Sequence, residues 1–598
     1  MGQPLLEHDL QVQPRSHERG WLYLLRRRSF ILVWVPLIWA LVYLTNLSVR
    51  PMRHEEGRRA GPAREMLLYH HWSLPTMYGD AYLHKPVGAF WILMAAGWLV
   101  GSLGTLAIRL PSALAVLAGA FLLAGFQRRQ LGRAARYLAG LLLLSLPIML
   151  SKGRLGEIDS LLTIVTFAAM AVWWWGYTTP GRRFQGWLGT GLLFAVLAML
   201  KGPAGLVEFY VPLVVFLLWQ RDLRTLFTWG HALCVAIGAA PVLLWMFVLG
   251  RYDGVNLWHL LHIWWFQIGM NDFQHFHRTW LNNAAARSFH LAHYRRFPIG
   301  VISMLMPWIV FAAPMFWPLF ARRMGVPAPL VRWLICLVGA NFLAFWLWPS
   351  ADPRHVMVIA YPVCVMAATN LVGSISHAPP SPVRIKLLRV GARTALTVAV
   401  LMAVATVIFA ARWFQPALTA AIGGALVVAI AVFAAGRLLR RTPDGQLAAA
   451  LAACLALTIL MERFLAAIDF DPWKATNDMP TLLMAQAAGH WSNRLPIYTT
   501  RCEPKKGDDY WDIQFYFGPA LRALRHLRRL PATTVCQVLV TPRELQRLRA
   551  QPRRFQVFQV TRLAVKKGPP PLYLIRVRRL ENSHQTRIHA EARGGQHD

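Results

Sequence analysis

Acidic residues are scarce in this chain. Its 598 residues hold 27 Asp and Glu against 63 Lys and Arg, and charged residues of both signs make up only 15%. A soluble domain of ordinary composition carries about a quarter charged residues, so a solvated globular surface is excluded for most of the length. Cysteine is also scarce: six residues, at 234, 336, 364, 454, 502 and 536, with no CxxC pair. That spacing removes the common dithiol motifs. Four of the six fall in apolar segments and read as inert core residues. Cys502 and Cys536 lie in a polar C-terminal region and are able to form a disulfide if that region is extracytoplasmic. No cleavage-site pattern follows the first apolar run, so the N-terminal segment reads as an uncleaved anchor. There is no basic domain with interleaved aromatics, which sets nucleic acid aside despite a net charge of +36.

What is present is mostly hydrocarbon. Hydrophobic residues reach 56%, and 26 Trp and 38 Pro suit a polytopic membrane protein, with Trp at the interfaces and Pro tolerated inside buried spans. The expected fold is mainly α, with about thirteen transmembrane helices of roughly 20 residues or somewhat fewer. They are placed at 30–49, 106–126, 137–150, 160–176, 186–200, 203–219, 231–249, 298–320, 331–348, 356–372, 394–411, 417–436 and 447–466. The apolar stretch 87–104 is expected to lie along the interface or re-enter.

Loop charge sets the orientation, because Arg and Lys collect on the cytoplasmic side. Arg26-Arg27-Arg28, Arg128-Arg129, Arg182-Arg183, Arg322-Arg323 and Arg440-Arg441 all fall inside under one alternation. The transmembrane domain then covers 1–467, with a first external loop at 50–86 and a long Trp- and His-rich external loop at 251–297. After it, 468–580 alternates extended runs (495–498, 535–540, 558–560) with helical stretches (519–529, 542–550). This is expected to be a small extracytoplasmic α/β domain, followed by a disordered tail at 581–598.

The same alternation gathers the chemistry at the outer face: Glu55 and Glu56 with Arg58, Lys85, the stretch Lys152–Asp159, Lys201, and Arg354-His355. A carboxylate at the membrane surface can serve as a general base. Cations at the ends of different spans can hold a phosphate and stabilise it as a leaving group. Snorkelling accounts equally well for a lone cation at a span end, and helix capping for Asp159. A transporter or flippase using the same charges is the alternative function. Such proteins show internal repeats and mid-membrane sites, whereas no repeat is evident here and these charges sit at one face.

The pattern Glu55-Glu56-Gly57-Arg58-x-Ala60-x-x-x-Arg64-Glu65-Met66-Leu67, followed by Tyr82-x-x-Lys85-Pro86, resembles the first external loop of the GT-C membrane glycosyltransferases. It is most similar to the bacterial branch with aminoarabinose transferases and protein O-mannosyltransferases. The resemblance implies a multi-pass inner-membrane enzyme with its active site on the external or periplasmic side. It would transfer a sugar from a polyprenyl-phosphate donor to a lipid, glycan or protein acceptor, among membrane lipids. In that reading Glu55 is the catalytic base and Asp159 a second catalytic-site acid. Glu56, Arg58, Lys85, Lys201, Arg354 and His355 bind substrate. The family usually has Asp where this chain has Glu55, and a metal-binding Glu where it has His84. A divalent metal is therefore either held by a changed ligand set including His84 and His290 or absent, and the acceptor stays open.

Overall fold

The computed structural model describes residues 27–252 and 284–376 apart from positions 53–54, 78, 129, 318–320, 322–325 and 349–350. It further describes 258, scattered positions from 397 to 412, 418–441, scattered positions from 455 to 463, and, toward the C-terminus, 495, 497–499, 521–523, 527, 530–531, 534–563 and 572–580. The described chain is mainly helical. In order, α1 is Phe30–Leu44, α2 Glu56–Tyr69, α3 Gly88–Val100, α4 Thr105–Gly125, α5 Arg133–Ser145 and α6 Pro147–Lys152. Then come α7 Asp159–Thr178, α8 Arg183–Lys201, α9 Ala204–Gln220, α10 Trp229–Leu249, α11 Ala284–Leu305 and α12 Trp308–Phe316. Finally α13 is Ala328–Trp346, α14 Ala360–Ser376 after a 3₁₀ turn at Pro353–Ile359, and α15 Leu418–Arg441.

Six of the described helical segments are long and apolar enough to cross a membrane: α4, α7, α8, α10, α13 and Pro353–Val372. A bent pair, Ala292–Leu305 with Trp308–Phe316, makes a seventh if counted as one span. Helices α1, α3, α9 and the Ala421–Ala434 part of α15 are apolar but shorter. The chain is a multi-pass membrane protein. The expected spans at 394–411 and 447–466 lie largely outside the described residues.

Two prolines reshape the expected spans. The residue before a proline is pushed out of the helical region, and Leu146, before Pro147, takes ψ 133°. The expected span at 137–150 is therefore two helices, α5 and α6. At Pro307 the hydrogen-bond ladder cannot continue, and the expected 298–320 span bends by 88°. The 251–297 loop is shorter than expected, since α11 begins at Ala284 inside it. Stretch 87–104 contributes α3, whose 13 residues extend only about 20 Å at 1.5 Å per residue, against a hydrocarbon core of about 30 Å.

Helices α7 and α8 form a close hairpin. A Cβ added at Gly176 would collide with the backbone of Gly186, so two glycines permit the contact. The end of that hairpin away from Asp159 is filled by Trp173, Trp174, Phe216 and Trp333, with Trp174 stacked on Trp333 at 5.7 Å between centroids.

The C-terminal part contains a five-stranded mixed sheet in the order β4-β3-β5-β7-β6. Its strands are β3 Ile497–Thr499, β4 Leu521–Ala523, β5 Val535–Val540, β6 Phe555–Leu563 and β7 Leu572–Arg579; a two-residue pair, β1 Thr76–Met77 and β2 Asp80–Ala81, lies in the first loop. Strand β3 runs parallel to β4 and β5, while β7 is antiparallel to β5 and β6. The stretch 519–529, expected to be helical, instead supplies β4, where Leu521–Ala523 completes the parallel ladder of β3. Helix α16, Pro542–Arg549, follows β5 with a reciprocal cap between Thr541 and Glu544. Cys536 is a free, buried thiol, and Cys502 lies outside the described residues.

Strand alternation divides the sheet between two cores. Tyr498, Val538, Val540, Ile575 and Val577 pack with Leu545 and Leu548 of α16. Ile497, Leu539 and Leu574 point the other way, into a cluster with Met52, Met66, Tyr82, Leu83 and Trp245. The sheet therefore rests on the 50–86 segment, at the same end of the helix bundle.

Candidate functional site

The site starts from a clamp. Glu56, at the first position of α2, is fully buried, and its carboxylate accepts from Arg109 of α4 at 2.7 and 2.8 Å. Arg109 also donates to the carbonyls of Leu47, Arg50 and Pro51, so one guanidinium ties the end of the first helical segment to the start of α2. Glu56 accepts a further bond from the Gly156 amide at 2.7 Å. Glycine is needed there, because a Cβ would run into Ile108. The adjacent acids are thus separated in role: Glu56 is engaged in the scaffold, and Glu55 faces the cations.

Glu55 accepts from Arg59 at 3.0 Å and from Arg58 at 3.4 Å. Burial alone would raise its pKa, but Arg59, Arg58 and Arg354 outweigh burial and hold the carboxyl below the usual 4.5. The Arg58 Nε donates to the Tyr82 hydroxyl at 2.7 Å. Burial pushes the Lys85 ammonium well below its ordinary 10.5, and the like charges of Arg59, Lys201 and Arg58 add to the fall. Lys85 is thus within electrostatic range of Lys201 and of the Glu55 cluster.

Three further segments join it. Lys201, the last residue of α8, donates to Asp159 at 2.7 Å. Asp159 is the first residue of α7, and Ile158 takes the capping position. Arg354, at the start of the 353–359 turn, lies 3.5 Å from Glu157 and 3.9 Å from Asp159. Glu157 also accepts from Lys152 at 2.7 Å. His355 uses Nδ1 to accept the Asp352 amide at 3.1 Å, which orders the turn carrying Arg354. Cations outnumber acids here. Arg58, Arg59, Lys85, Lys152, Lys201 and Arg354 stand against Glu55, Glu157, Asp159 and the more exposed Asp352, which suits an anionic ligand.

The structure therefore brings Glu55, Arg58, Lys85, Asp159, Lys201, Arg354 and His355 together. His84 sits half-buried with its ring 5.2 Å from that of Tyr82. His290 falls on α11, its side chain outside the described residues. Among the described residues, no group of three or more His, Cys, Asp or Glu gathers as a metal site would require. Sequence reasoning gave no role to Arg59 or Arg109, and none to Glu157 beyond its place in the outer-face stretch Lys152–Asp159. Arg59 is 7% exposed, with Nε and Nη1 lacking a partner. Its only sequence signal was adjacency to Arg58.

Residues 84–245 match the family described as dolichyl-phosphate-mannose-protein mannosyltransferase. That interval contains Lys85, Asp159 and Lys201. An undecaprenyl phosphate-α-4-amino-4-deoxy-L-arabinose arabinosyl transferase from Erwinia tasmaniensis is 25% identical over 338 residues, covering 56% of this chain and 58% of the relative. The corresponding transferase from Aeromonas salmonicida is 29% identical over 282 residues, 46% of this chain and 48% of the relative. The chain thus matches about half the length of these curated relatives. The crystal structure of ArnT from Cupriavidus metallidurans bound to undecaprenyl phosphate superposes with a TM-score of 0.65 at 18% identity, covering 92% of this chain and 98% of that one. The fold is that of the GT-C membrane glycosyltransferases. Within the GT-C fold of this chain, the charged cluster occupies one end of the bundle, under the C-terminal sheet.

Proposed function

We propose that this chain is an inverting glycosyltransferase that moves a sugar from a polyprenyl-phosphate donor to a lipid, glycan or protein acceptor at the outer face of the bacterial inner membrane. One observation carries the reading: Glu55 is held by Arg59 at 3.0 Å and Arg58 at 3.4 Å, while Asp159 is held by Lys201 at 2.7 Å and lies 3.9 Å from Arg354, so acids and cations from separate segments gather at one end of the bundle. The donor named for the arabinosyl transferase relatives and the lipid in the ArnT crystal structure agree with it.

Glu55 would take the proton from the acceptor nucleophile as that atom attacks the anomeric carbon. The bond from that carbon to the phosphate oxygen breaks, and its electron pair leaves with the polyprenyl phosphate. Arg58, Arg59, Lys85 and Arg354 stabilise the charge that develops there. A carboxylate held below its ordinary pKa is a weak base. A bound phosphate offsets the same cations, so donor binding returns basicity to Glu55 when the acceptor is in place.

Topology belongs to the same proposal. Thirteen crossings would place 50–86 and 468–580 together outside, and the packing of Ile497, Leu539 and Leu574 against Met52 and Tyr82 supports that shared side. A divalent ion held by His84 with His290 is tested by chelation with EDTA and readdition. The decisive experiment is Glu55→Gln in membranes given radiolabelled polyprenyl-phosphate sugar. Transfer is expected to fall by about 10²–10⁴, the usual contribution of a general base. Undiminished transfer would remove Glu55 from this role.

A further inference from the structure

Beneath the Asp159–Lys201 pair, helices α7 and α9 bury polar groups that the chemistry above does not use. Glu208 is 5% exposed, one turn into α9, and its Oε2 has no hydrogen-bond partner. The charges of Lys201 and Asp159 reach it, so it borders the cluster from the bundle side. On α7, the hydroxyls of Ser160 and Thr166 are buried and also without partners. Thr166 packs onto Gly205, where a Cβ would come within 3.2 Å of its Oγ1. Gly205 precedes Glu208 by three residues and so lies on the same face of α9. Thr166 and Glu208 thus bring unsatisfied polar atoms to the contact of α7 with α9, with Ser160 nearer the start of α7, inside a hydrocarbon environment. There, unpaired polar groups are strongly disfavoured, and an intramembrane acid is a functional candidate by default.

We propose that Glu208, with Thr166 and Ser160, binds the ring of the transferred sugar, Glu208 accepting a hydrogen bond from a hydroxyl or ammonium group of that ring. The inference rests on the glycosyltransferase reading and assigns the sugar's place within it. The cations beside Glu55 hold the phosphate, and the unpaired polar groups of α7 and α9 hold the polar ring attached to it. A ring hydroxyl is served by either a carboxylate or an amide at position 208. An ammonium group needs the charge.

The test uses the full chain in nanodiscs and compares binding of sugar-free undecaprenyl phosphate with two glycosylated donors, one bearing an amino sugar and one a neutral sugar. Wild type is expected to bind at least one glycosylated donor more tightly than the sugar-free lipid. Glu208→Leu should leave the sugar-free lipid unaffected and weaken that donor about tenfold or more, as when a buried polar partner is removed. Glu208→Gln should weaken only the amino-sugar donor if an ammonium group is bound, and neither donor strongly if a hydroxyl is bound. Unchanged ratios in Glu208→Leu overturn the proposal. Should that variant fail to fold, Glu208→Gln and Thr166→Val carry the test, and unchanged ratios in both overturn it equally. Wild type binding the sugar-free lipid with no gain from any sugar sinks the sugar site alone. Failure to bind any polyprenyl phosphate sinks the glycosyltransferase reading itself.

Discussion

Helix α7 carries Asp159 at its first residue and Trp173, Trp174 and Tyr177 in its last turns, so its two ends can be compared within one element. At the tryptophan end, rings fill the space: Trp173 stacks on Tyr177 at 4.9 Å, and Phe216 meets both Trp173 and Trp174 edge-on. The charges nearby, Arg183 and Asp222, pair at 3.6 Å where they are partly exposed. At the Asp159 end the charges are largely buried and incompletely matched. Arg59 Nε and Nη1 and Glu157 Oε1 are buried without hydrogen-bond partners. Both ends leave polar atoms unpaired, but they differ in kind: at the tryptophan end they are the neutral indole N–H groups of Trp174 and Trp333, and at the Asp159 end they belong to charged groups. Unspent charged capacity is what an end that receives an anionic ligand requires.

The largest expected effect that tests this contrast is the loss of transfer in Glu55→Gln, by about 10²–10⁴ and without loss of folding, since Glu55 is partly exposed. Next comes the clamp under the site. Arg109→Met leaves the Glu56 carboxylate buried without its guanidinium, a change that costs about 3–5 kcal/mol in buried ion pairs. Thermal stability in detergent should fall sharply, with activity lost along with the fold. The double variant Glu56→Met/Arg109→Met should recover part of that stability, because a buried pair replaced as a whole is often neutral. If Glu55→Gln lost as much stability as Arg109→Met, the division between scaffold acid and reactive acid would be gone.

How much of this was legible in the sequence follows the range of the physics involved. Apolar runs mark helices wherever lipid is the solvent, so α4, α7, α8, α10 and α13 lie within a few residues of their expected spans. Proline bends were present as letters, but Pro111 and Pro241 sit inside unbroken helices whereas Pro147 and Pro307 break theirs, and tertiary contacts make that choice. The strand at 521–523 was hidden because three residues take their conformation from β3, not from local preference. In the site, charged letters at span ends were enough to gather Glu55, Lys85, Asp159, Lys201 and Arg354. The partition between Glu55 and Glu56 was not, since it depends on Arg109, 53 residues away. Glu208 reads in the sequence as one acid within an apolar helix, and only the facing α7 gives it a context.

At the opposite end, Trp173→Ala removes a ring that is only 2% exposed. Core Trp or Phe truncations in soluble proteins cost about 3–5 kcal/mol. Lipid is itself apolar, so only the packing part of that cost applies inside a membrane, and the stability loss should be smaller than for Arg109→Met. Donor affinity should stay unchanged. A tenfold loss of donor affinity without unfolding would mean that the two ends are coupled and the contrast is incomplete.

The smallest expected effect is a displacement along the pH axis. Lys85 has its ammonium pKa pushed well below 10.5 by burial and by Arg59, Lys201 and Arg58. The cation that binds phosphate is therefore present below that lowered pKa and lost as pH rises through it. Donor affinity should decline on the alkaline side well before an ordinary lysine would titrate, by up to about tenfold per pH unit for one proton. The glycosylated donor is the right probe, because its phosphodiester has no second ionisation near pH 6 to mask the trend, unlike a phosphate monoester. Arginine stays protonated throughout this range, so Lys85→Arg should move the alkaline limb upward while leaving affinity near neutral pH within a few fold. Isothermal titration at a series of pH values reads both limbs. A limb that stays in place in Lys85→Arg assigns the alkaline loss to another group and removes Lys85 from the phosphate. A limb that moves ties the crowding of cations at this end of the bundle to anion binding.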